Sequence, residues 1–149
     1  MSVERQIKVP SDVGAKLRVA LVHHREGRLQ EAVEIYQSVV RRMPGHAETL
    51  LSLGAALLGL GRHSEAVVPL EKAFLIRSEH PDTCFSLAEA YRASGRIEDA
   101  YTIAMKGLKG NPDYLAGHMA AADALLDLGR HDEARDEFEN ILLKAPDNI

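Results

Sequence analysis

The chain has 149 residues, of which 46% are hydrophobic, 27% charged and only 5% aromatic, with no tryptophan. This length suits one domain, and the apolar content excludes a chain that is disordered throughout. The formal net charge of −4 argues against a general nucleic-acid-binding protein, which would need a basic surface. We therefore expect a single folded domain with no nucleic-acid partner.

The first twelve residues predict a loosely ordered leader, in which Ser11 and Asp12 can cap the first helix. The leader has no apolar segment of the kind found in signal peptides. Nowhere does the chain contain the roughly 18 consecutive apolar residues that a membrane span needs. These features predict a cytoplasmic protein without membrane insertion, although a segment of a longer secreted or anchored protein would share them.

After the leader, apolar residues recur at the spacing of amphipathic helices. Leu50, Leu53, Leu57 and Leu60, for example, fall on one face of a helix. The single cysteine, Cys84, lies in such a pattern, which predicts a small buried side chain without a disulfide partner. We predict eight helices, with bounds accurate to a few residues, over 12–26, 29–43, 46–60, 63–77, 81–94, 97–110, 114–128 and 131–145.

The joints between paired helices repeat one motif at an interval of 34 residues, which is typical of a stacked repeat array. Its copies are GRLQEA, GRHSEA, GRIEDA and GRHDEA, beginning at Gly27, Gly61, Gly95 and Gly129. Each glycine can end a helix in the left-handed conformation, and the acid that follows suits the start of the next helix. The motif ends each time in an alanine (Ala32, Ala66, Ala100 and Ala134), which predicts a close helix crossing.

The pattern resembles the tetratricopeptide repeat, a family whose period is 34 residues. The repeats correspond to 13–46, 47–80, 81–114 and 115–148. The family's eighth position carries Ala20, Gly54, Ala88 and Ala122, and its closing proline appears as Pro44, Pro112 and Pro146, with Ser78 in the second repeat. The aromatic of position four is absent (Lys16, Leu50, Cys84 and His118). The resemblance implies an all-α, right-handed superhelical α-solenoid of eight helices in helix–turn–helix repeats.

The resemblance also implies a concave groove, lined by the first helix of each repeat, that binds a protein or peptide. Carried over by position, the partner-binding residues are Leu17, Leu21, Arg25, Glu48, Leu51, Leu58, Phe85, Glu89, Arg92, Met119, Asp123, Leu126 and Asp127. Apolar residues and acids toward repeat four predict an amphipathic partner segment with Lys or Arg at that end. The segment belongs to another protein or to the leader, which contains Arg5, Ile7, Lys8 and Val9; the alternative is a solvated helix face.

One family ligand is excluded by this mapping. The chaperone-binding members clamp a C-terminal carboxylate with Lys, Asn and Arg at set groove positions. Here those positions hold Leu17, Leu21, Ser52, Asp82 and Ser86, so we do not expect a heat-shock chaperone adaptor of that kind.

The last predicted helix carries Phe138, Ile141 and Leu142 where a following helix would normally cover them. We expect an oligomer edge there, formed with another copy or another protein, unless the chain is a fragment of a longer array. Within the array, Pro69 should kink or loosen the fourth helix. Ala104, Gly107 and Gly110 in the sixth helix predict a softer third repeat, whether or not these small residues also admit close packing by the fourth repeat.

No motif for catalysis or metal binding is present. The seven histidines lack ligand spacing and are interpreted as surface or joint residues, and the neighbouring acids Asp136 and Glu137 as a solvated helix face. We therefore predict a non-enzymatic protein-interaction scaffold without cofactor or metal. The alternative is a substrate-recruiting or regulatory repeat module of a larger enzyme, such as a bacterial glycosyltransferase or sulfotransferase.

Overall fold

The computed structural model describes residues 7–144, which form eight α-helices and no β-strand. All eight predicted helices, and with them the all-α helical repeat fold, are confirmed to within one residue at each described end. None of the helices in this range combines the length and apolar character that a membrane crossing requires. The helices are α1 (Ser11–Arg25), α2 (Leu29–Arg42), α3 (Ala47–Gly59), α4 (His63–Ile76), α5 (Pro81–Ala93), α6 (Ile97–Gly110), α7 (Leu115–Asp127) and α8 (His131–Lys144).

The helices stack in chain order, and each packs against the one before and the one after it. In addition, α5 contacts both α3 and α7, whereas the even-numbered helices of the described chain make no comparable contacts with one another. The odd-numbered helices therefore form one layer and the even-numbered helices another. We call the surface of the odd-numbered helices the inner face.

The four joint glycines adopt the left-handed conformation, with φ of 78°, 74°, 83° and 74° in chain order. At the second joint the amide of Gly61 donates to the carbonyl of Leu58 and that of Arg62 to Leu57, both at 2.9 Å. These bonds satisfy carbonyls at the end of α3, as the motif predicted. The motif's arginine and acid also pair at 2.6–2.8 Å, namely in Arg62–Glu65, Arg96–Asp99 and Arg130–Glu133.

Replacing Gly61 by alanine is expected to lower the free energy of unfolding by about 1–2 kcal/mol, because a Cβ disfavours left-handed backbone. No atom lies within 4 Å of the new Cβ, so the cost is conformational. The control is Gly14→Ala inside α1, where the new Cβ meets only the Arg18 guanidinium at 3.7 Å. That change should raise the free energy by up to about 1 kcal/mol. Urea unfolding followed by circular dichroism measures the free energy of unfolding of both variants. Equal changes in the two variants would contradict the left-handed conformation assigned to Gly61.

The core is built from small side chains at the helix crossings. Ala32, Ala66, Ala100 and Ala134 are at most 1% exposed, which confirms the close crossings that the motif predicted. Cys84 is buried as predicted, its thiol donates to the carbonyl of Ser78 at 3.3 Å, and burial raises the pKa of the thiol.

The loosely ordered leader expected over residues 1–12 stays a prediction, because only its last residues can be compared with the structure. Residues 1–6 lie outside the described range, but α1 already begins at Ser11. Val9 packs against Val13, Val39 and Met43, which form a small apolar cluster beside the main core. The expected side-chain cap on α1 is absent. Asp12 instead accepts a hydrogen bond from Arg42 of α2, which lowers the pKa of the Asp12 carboxyl.

Two expected irregularities are resolved by packing. Helix α4 runs without a break through Pro69, which is buried. At Gly107 of α6, an added Cβ would lie 2.7 Å from the Cβ of Cys84 in α5. Gly107 therefore permits close packing with α5, the other helix of its own repeat. The sequence had instead suggested close packing with the fourth repeat. Gly117 of α7 supplies the close approach to repeat three, because its Cβ would meet Leu108 at 2.8 Å.

Candidate functional site

The inner face contains a cleft of about 180 Å³ between α5 and α7, which we call the α5–α7 cleft. Residues three or four positions apart share a helix face, so each helix contributes one row of side chains. Alanines from both helices keep the cleft open, while longer side chains form its walls. The lining residues are Phe85, Ala88, Glu89, Arg92, Ala116, Met119, Ala120 and Asp123.

The charges around this cleft are only partly neutralised. The Nε of Arg92 lies 2.6 Å from a carboxylate oxygen of Asp127, so the acid nearest the end of α7 already has a partner. Glu89 and Asp123 have neither a hydrogen bond nor an ion pair within residues 7–144. Met119 beside them is 50% exposed. The cleft therefore presents two uncompensated carboxylates next to apolar side chains, a combination that suits a basic, partly apolar ligand.

A second cleft, of about 290 Å³, lies between α3 and the start of α5. It brings together Glu48, Leu51 and Asp82, but Asp82 accepts a hydrogen bond of 2.6 Å from the hydroxyl of Tyr114. Burial, together with the Asp82 carboxylate, raises the pKa of Tyr114 to about 12. Sequence reasoning missed Tyr114, although its place one residue before α7, matching His46 and His80 before α3 and α5, could have drawn attention to it.

The other groove residues expected from the sequence are dispersed. Leu17 and Leu58 are half-buried and pack against the core. Leu21 and Leu126 are 42% exposed, and Arg25 is also exposed. Five of the expected residues, Phe85, Glu89, Arg92, Met119 and Asp123 of repeats three and four, come together in the α5–α7 cleft, and Glu48 and Leu51 of repeat two line the cleft between α3 and α5.

A buried polar cluster in repeat four was not foreseen. His118 is 7% exposed, and its Nδ1 lies 2.7 Å from Glu137 Oε2 while its Nε2 lies 2.7 Å from the carbonyl of Pro112. Lys144 donates to the same carbonyl at 2.6 Å. The interpretation of the histidines as surface or joint residues is wrong for His118, and that of Glu137 as part of a solvated face is wrong too. The cluster ties α7, α8 and the preceding loop together.

Within the described residues, no group of three or more His, Cys, Asp or Glu side chains is placed to hold a metal ion. At the end of the array, Phe138 and Leu142 of α8 are 39% and 51% exposed, and Ile141 is half-buried. Leu143, which the sequence analysis did not single out, is 80% exposed. The last helix therefore presents an apolar surface.

Family comparisons cover most of the chain in two parts. Residues 12–79 match a model described as tetratricopeptide repeat. Residues 70–141 match a model described as anaphase-promoting complex, cyclosome, subunit 3.

Two curated proteins are similar over long segments. Tetratricopeptide repeat protein 37 of Xenopus laevis is 32% identical over 127 residues, which are 83% of this chain and 8% of that protein. The TPR repeat-containing thioredoxin TTL4 of Arabidopsis thaliana is 28% identical over 89 residues, which are 60% of this chain and 13% of that protein. The chain thus spans a small part of the length of either relative.

Solved structures show the same fold at low sequence identity. MamA 41-end from Desulfovibrio magneticus RS-1 superposes with a TM-score of 0.86 at 18% identity, covering 91% of this chain and 77% of that one. TTC0263, a thermophilic TPR protein of Thermus thermophilus, superposes with a TM-score of 0.75 at 21% identity, covering 88% and 73%. At such identities the likeness concerns the helical repeat fold alone.

Proposed function

The chain belongs to the tetratricopeptide repeat family, and on that premise we propose that it is a protein-interaction scaffold that holds a partner segment in the α5–α7 cleft. The observation that carries the proposal is the arrangement of the unpaired Glu89 and Asp123 beside Phe85 and Met119. Apolar anchors supply affinity and charges fix orientation when a helix lies in a groove. The partner segment would be apolar on one side with Lys or Arg next to it.

The Arg92–Asp127 pair supports a different position for the basic group of the proposed partner. Asp127, which the sequence placed at the acidic end of the groove, is already paired with Arg92. A Lys or Arg of the partner would therefore lie between Glu89 and Asp123. The chain's own leader is a poor candidate for this partner segment, because Val9 already packs against the apolar cluster formed by α1 and the end of α2. Arg5 lies outside the described residues. We accordingly propose a segment of another protein.

Photo-crosslinking tests this placement directly. A photoreactive amino acid at Met119, inside the cleft, is expected to capture a defined protein in the source cell. The same amino acid at Leu75, which is 81% exposed on α4, is the control and should not capture that protein. The same products from both positions would remove the support for a binding site in the cleft.

Charge reversal supplies a second test. The double change Glu89→Lys with Asp123→Lys is expected to weaken capture of that partner by at least tenfold, since like charges would replace two attractive contacts. The control is Glu31→Lys with Asp136→Lys, two exposed acids outside the cleft, which changes the net charge equally and should leave capture intact. Circular dichroism checks that both variants keep their helices. Equal recovery with both variants would show that the acids of the cleft do not recognise the partner.

A second candidate is that the array recruits substrates to, or regulates, a larger enzyme. The observation that favours it is the similarity to a repeat-containing thioredoxin, of which the chain spans 13%. A coding sequence that continues by a further domain of about 100–200 residues would support it. The scaffold proposal itself includes a cytoplasmic location, which fractionation of the source cell would check.

A further inference from the structure

The outward side of α1 exposes residues that the other odd-numbered helices bury. Val19 is 50% exposed, whereas Leu53, Leu87 and Ala121, which lie 34, 68 and 102 residues later, are at most 6% exposed. Val22 is 49% exposed, whereas its counterparts Ala56, Ala90 and Ala124 are 0% exposed. All four helices pack against the second helix of their own repeat. What α1 lacks in the described chain is a preceding repeat, and a groove of about 410 Å³ beside Ala15, Val19 and Ile35 lies open there.

The last helix exposes the matching half of the same junction. Phe138 is 39% exposed, whereas its counterparts Tyr36, Leu70 and Ala104 are at most 2% exposed. Leu142 is 51% exposed, whereas its counterpart Leu108 is 6% exposed and packs against Gly117 of the next repeat. In α8 no following helix covers these side chains within residues 7–144. The exposed faces of α1 and α8 therefore correspond to the two sides of one repeat-to-repeat interface.

We propose that α8 of one copy docks on α1 of a second copy, so that the helical array continues from chain to chain. This inference is independent of the α5–α7 cleft, which lies on the inner face. By repeat correspondence, Leu142 would contact Ala15 of the second copy, as Leu108 contacts Gly117. The methyl group of Ala15 is smaller than the threonine at this place in α3 and α5 (Thr49 and Thr83), so it fits the junction.

Polar groups of α8 and the first repeat also correspond to a set of partners at an internal junction. Between α4 and α5, Glu71 accepts hydrogen bonds from the Tyr91 hydroxyl at 2.7 Å and from Arg96 at 3.4 Å. The residue that corresponds to Glu71 in α8 is Glu139. The residues that correspond to Tyr91 and Arg96 at the first repeat are His23 and Arg28.

Across the proposed junction, Glu139 of one copy would thus face His23 and Arg28 of the next. Arg28 is held at that place by His23, whose Nδ1 accepts a hydrogen bond of 2.7 Å from the Arg28 Nε, and by Glu26. Lys16 is the charged residue on the apolar side of α1, where its counterparts are Leu50, Cys84 and His118. The flexible aliphatic stem of Lys16 can carry its ammonium group to the solvent-exposed edge of the proposed junction.

Such an interface joins two different surfaces and does not close on itself. Heterologous contacts of this kind build open chains, whereas a symmetric contact stops at a dimer. Sedimentation velocity of the wild-type chain should therefore show a mean mass that keeps rising with concentration beyond the dimer. A wild-type chain that stays monomeric at every concentration would overturn the proposal, as would one that stops at a dimer.

Variants of the two ends provide the decisive test. Phe138→Glu with Leu142→Glu blocks the α8 end, and Val19→Glu with Val22→Glu blocks the α1 end. Each variant alone is expected to be monomeric, because its remaining end has no complementary surface to bind. Mixed together, they should form a one-to-one heterodimer through the unblocked ends and nothing larger. Failure to form this heterodimer, or dimers of the α1-blocked variant alone, would contradict the head-to-tail contact.

Two further variants serve as controls for this experiment. Val68→Glu with Leu75→Glu changes apolar side chains that are 55% and 81% exposed on α4, away from both ends, and should leave self-association unchanged. Glu139→Arg is expected to weaken association by about tenfold, equivalent to about 1.4 kcal/mol. Arg28→Glu on the same chain should restore it. No rescue by the charge swap would show that these residues do not face each other, and circular dichroism verifies that every variant is folded.

Discussion

Replacing Leu70 by alanine is expected to lower the free energy of unfolding by about 2–5 kcal/mol, the usual range for a large buried side chain. Leu70 is 0% exposed in α4 and lies over Gly54 of α3. The Cβ of an alanine at position 54 would lie only 2.4 Å from the Leu70 Cγ. Leucine thus fills the space that the glycine leaves, and its truncation opens a cavity where α3 crosses α4.

The partner change, Gly54→Ala, should also destabilise the protein. Overpacking against Leu70 costs about 1–3 kcal/mol, which exceeds the gain of up to about 1 kcal/mol from removing a helical glycine. The two changes together recreate the pair that repeat three has at these positions, Ala88 and Ala104, both 2% exposed. The double variant should therefore be more stable than the sum of the single effects predicts, by about 0.5–3 kcal/mol.

Urea unfolding of the four proteins, wild type, two single variants and the double variant, measures this interaction. Helix content by circular dichroism at low urea shows whether each variant starts from the folded state. Strictly additive effects would mean that Gly54 and Leu70 do not share one packing site.

Replacing Glu137 by alanine is expected to cost about 1–3 kcal/mol, the usual cost of leaving one partner of a buried hydrogen bond unsatisfied. The His118 and Glu137 side chains are only 9% and 15% exposed, so water can replace little of the lost contact. The loss should concentrate in repeat four, where His118 joins α7 to α8 and to the carbonyl of Pro112.

The matched variant replaces both partners by apolar residues. His118→Leu with Glu137→Ile gives repeat four the chemistry of repeat three, where Cys84 and Ile103 hold the same positions. Because replacing both partners of a buried hydrogen bond by apolar groups can be nearly neutral or stabilising, this variant should lie within about 1 kcal/mol of the wild type. Hydrogen exchange resolved by residue locates the change in α7 and α8. A double variant as unstable as Glu137→Ala would mean that His118 and Glu137 are not coupled.

The groove and the oligomer edge, expected from the sequence, stay predictions until the binding and sedimentation experiments are done. Five of the expected groove residues, all from repeats three and four, line the α5–α7 cleft, which is therefore the first place to test. Because Asp127 is paired with Arg92, the acids to be tested are Glu89 and Asp123.

The repeat and the helices could be predicted from the sequence, because both depend on neighbours in the chain. A glycine every 34 residues ends a helix by its own backbone freedom, and φ is positive at all four sites. Periodic apolar residues define the buried face of each helix. The burial of Ala66 and Ala100 follows from the same pattern, since an alanine repeated at each joint permits a close crossing.

Which polar side chains meet could not be predicted in this way, because it depends on how the helices pack. Arg92 pairs with Asp127, 35 residues later, and Tyr114 with Asp82, 32 residues earlier. The intervals are close to one repeat, so the sequence places each pair on neighbouring helices. Several acids share those helices, however, and the choice among them depends on side-chain reach and helix crossing. His118 and Glu137 can be buried because each forms a hydrogen bond with the other, so that neither polar group is left without a partner. They lie on different helices, and neither helix alone predicts this pairing.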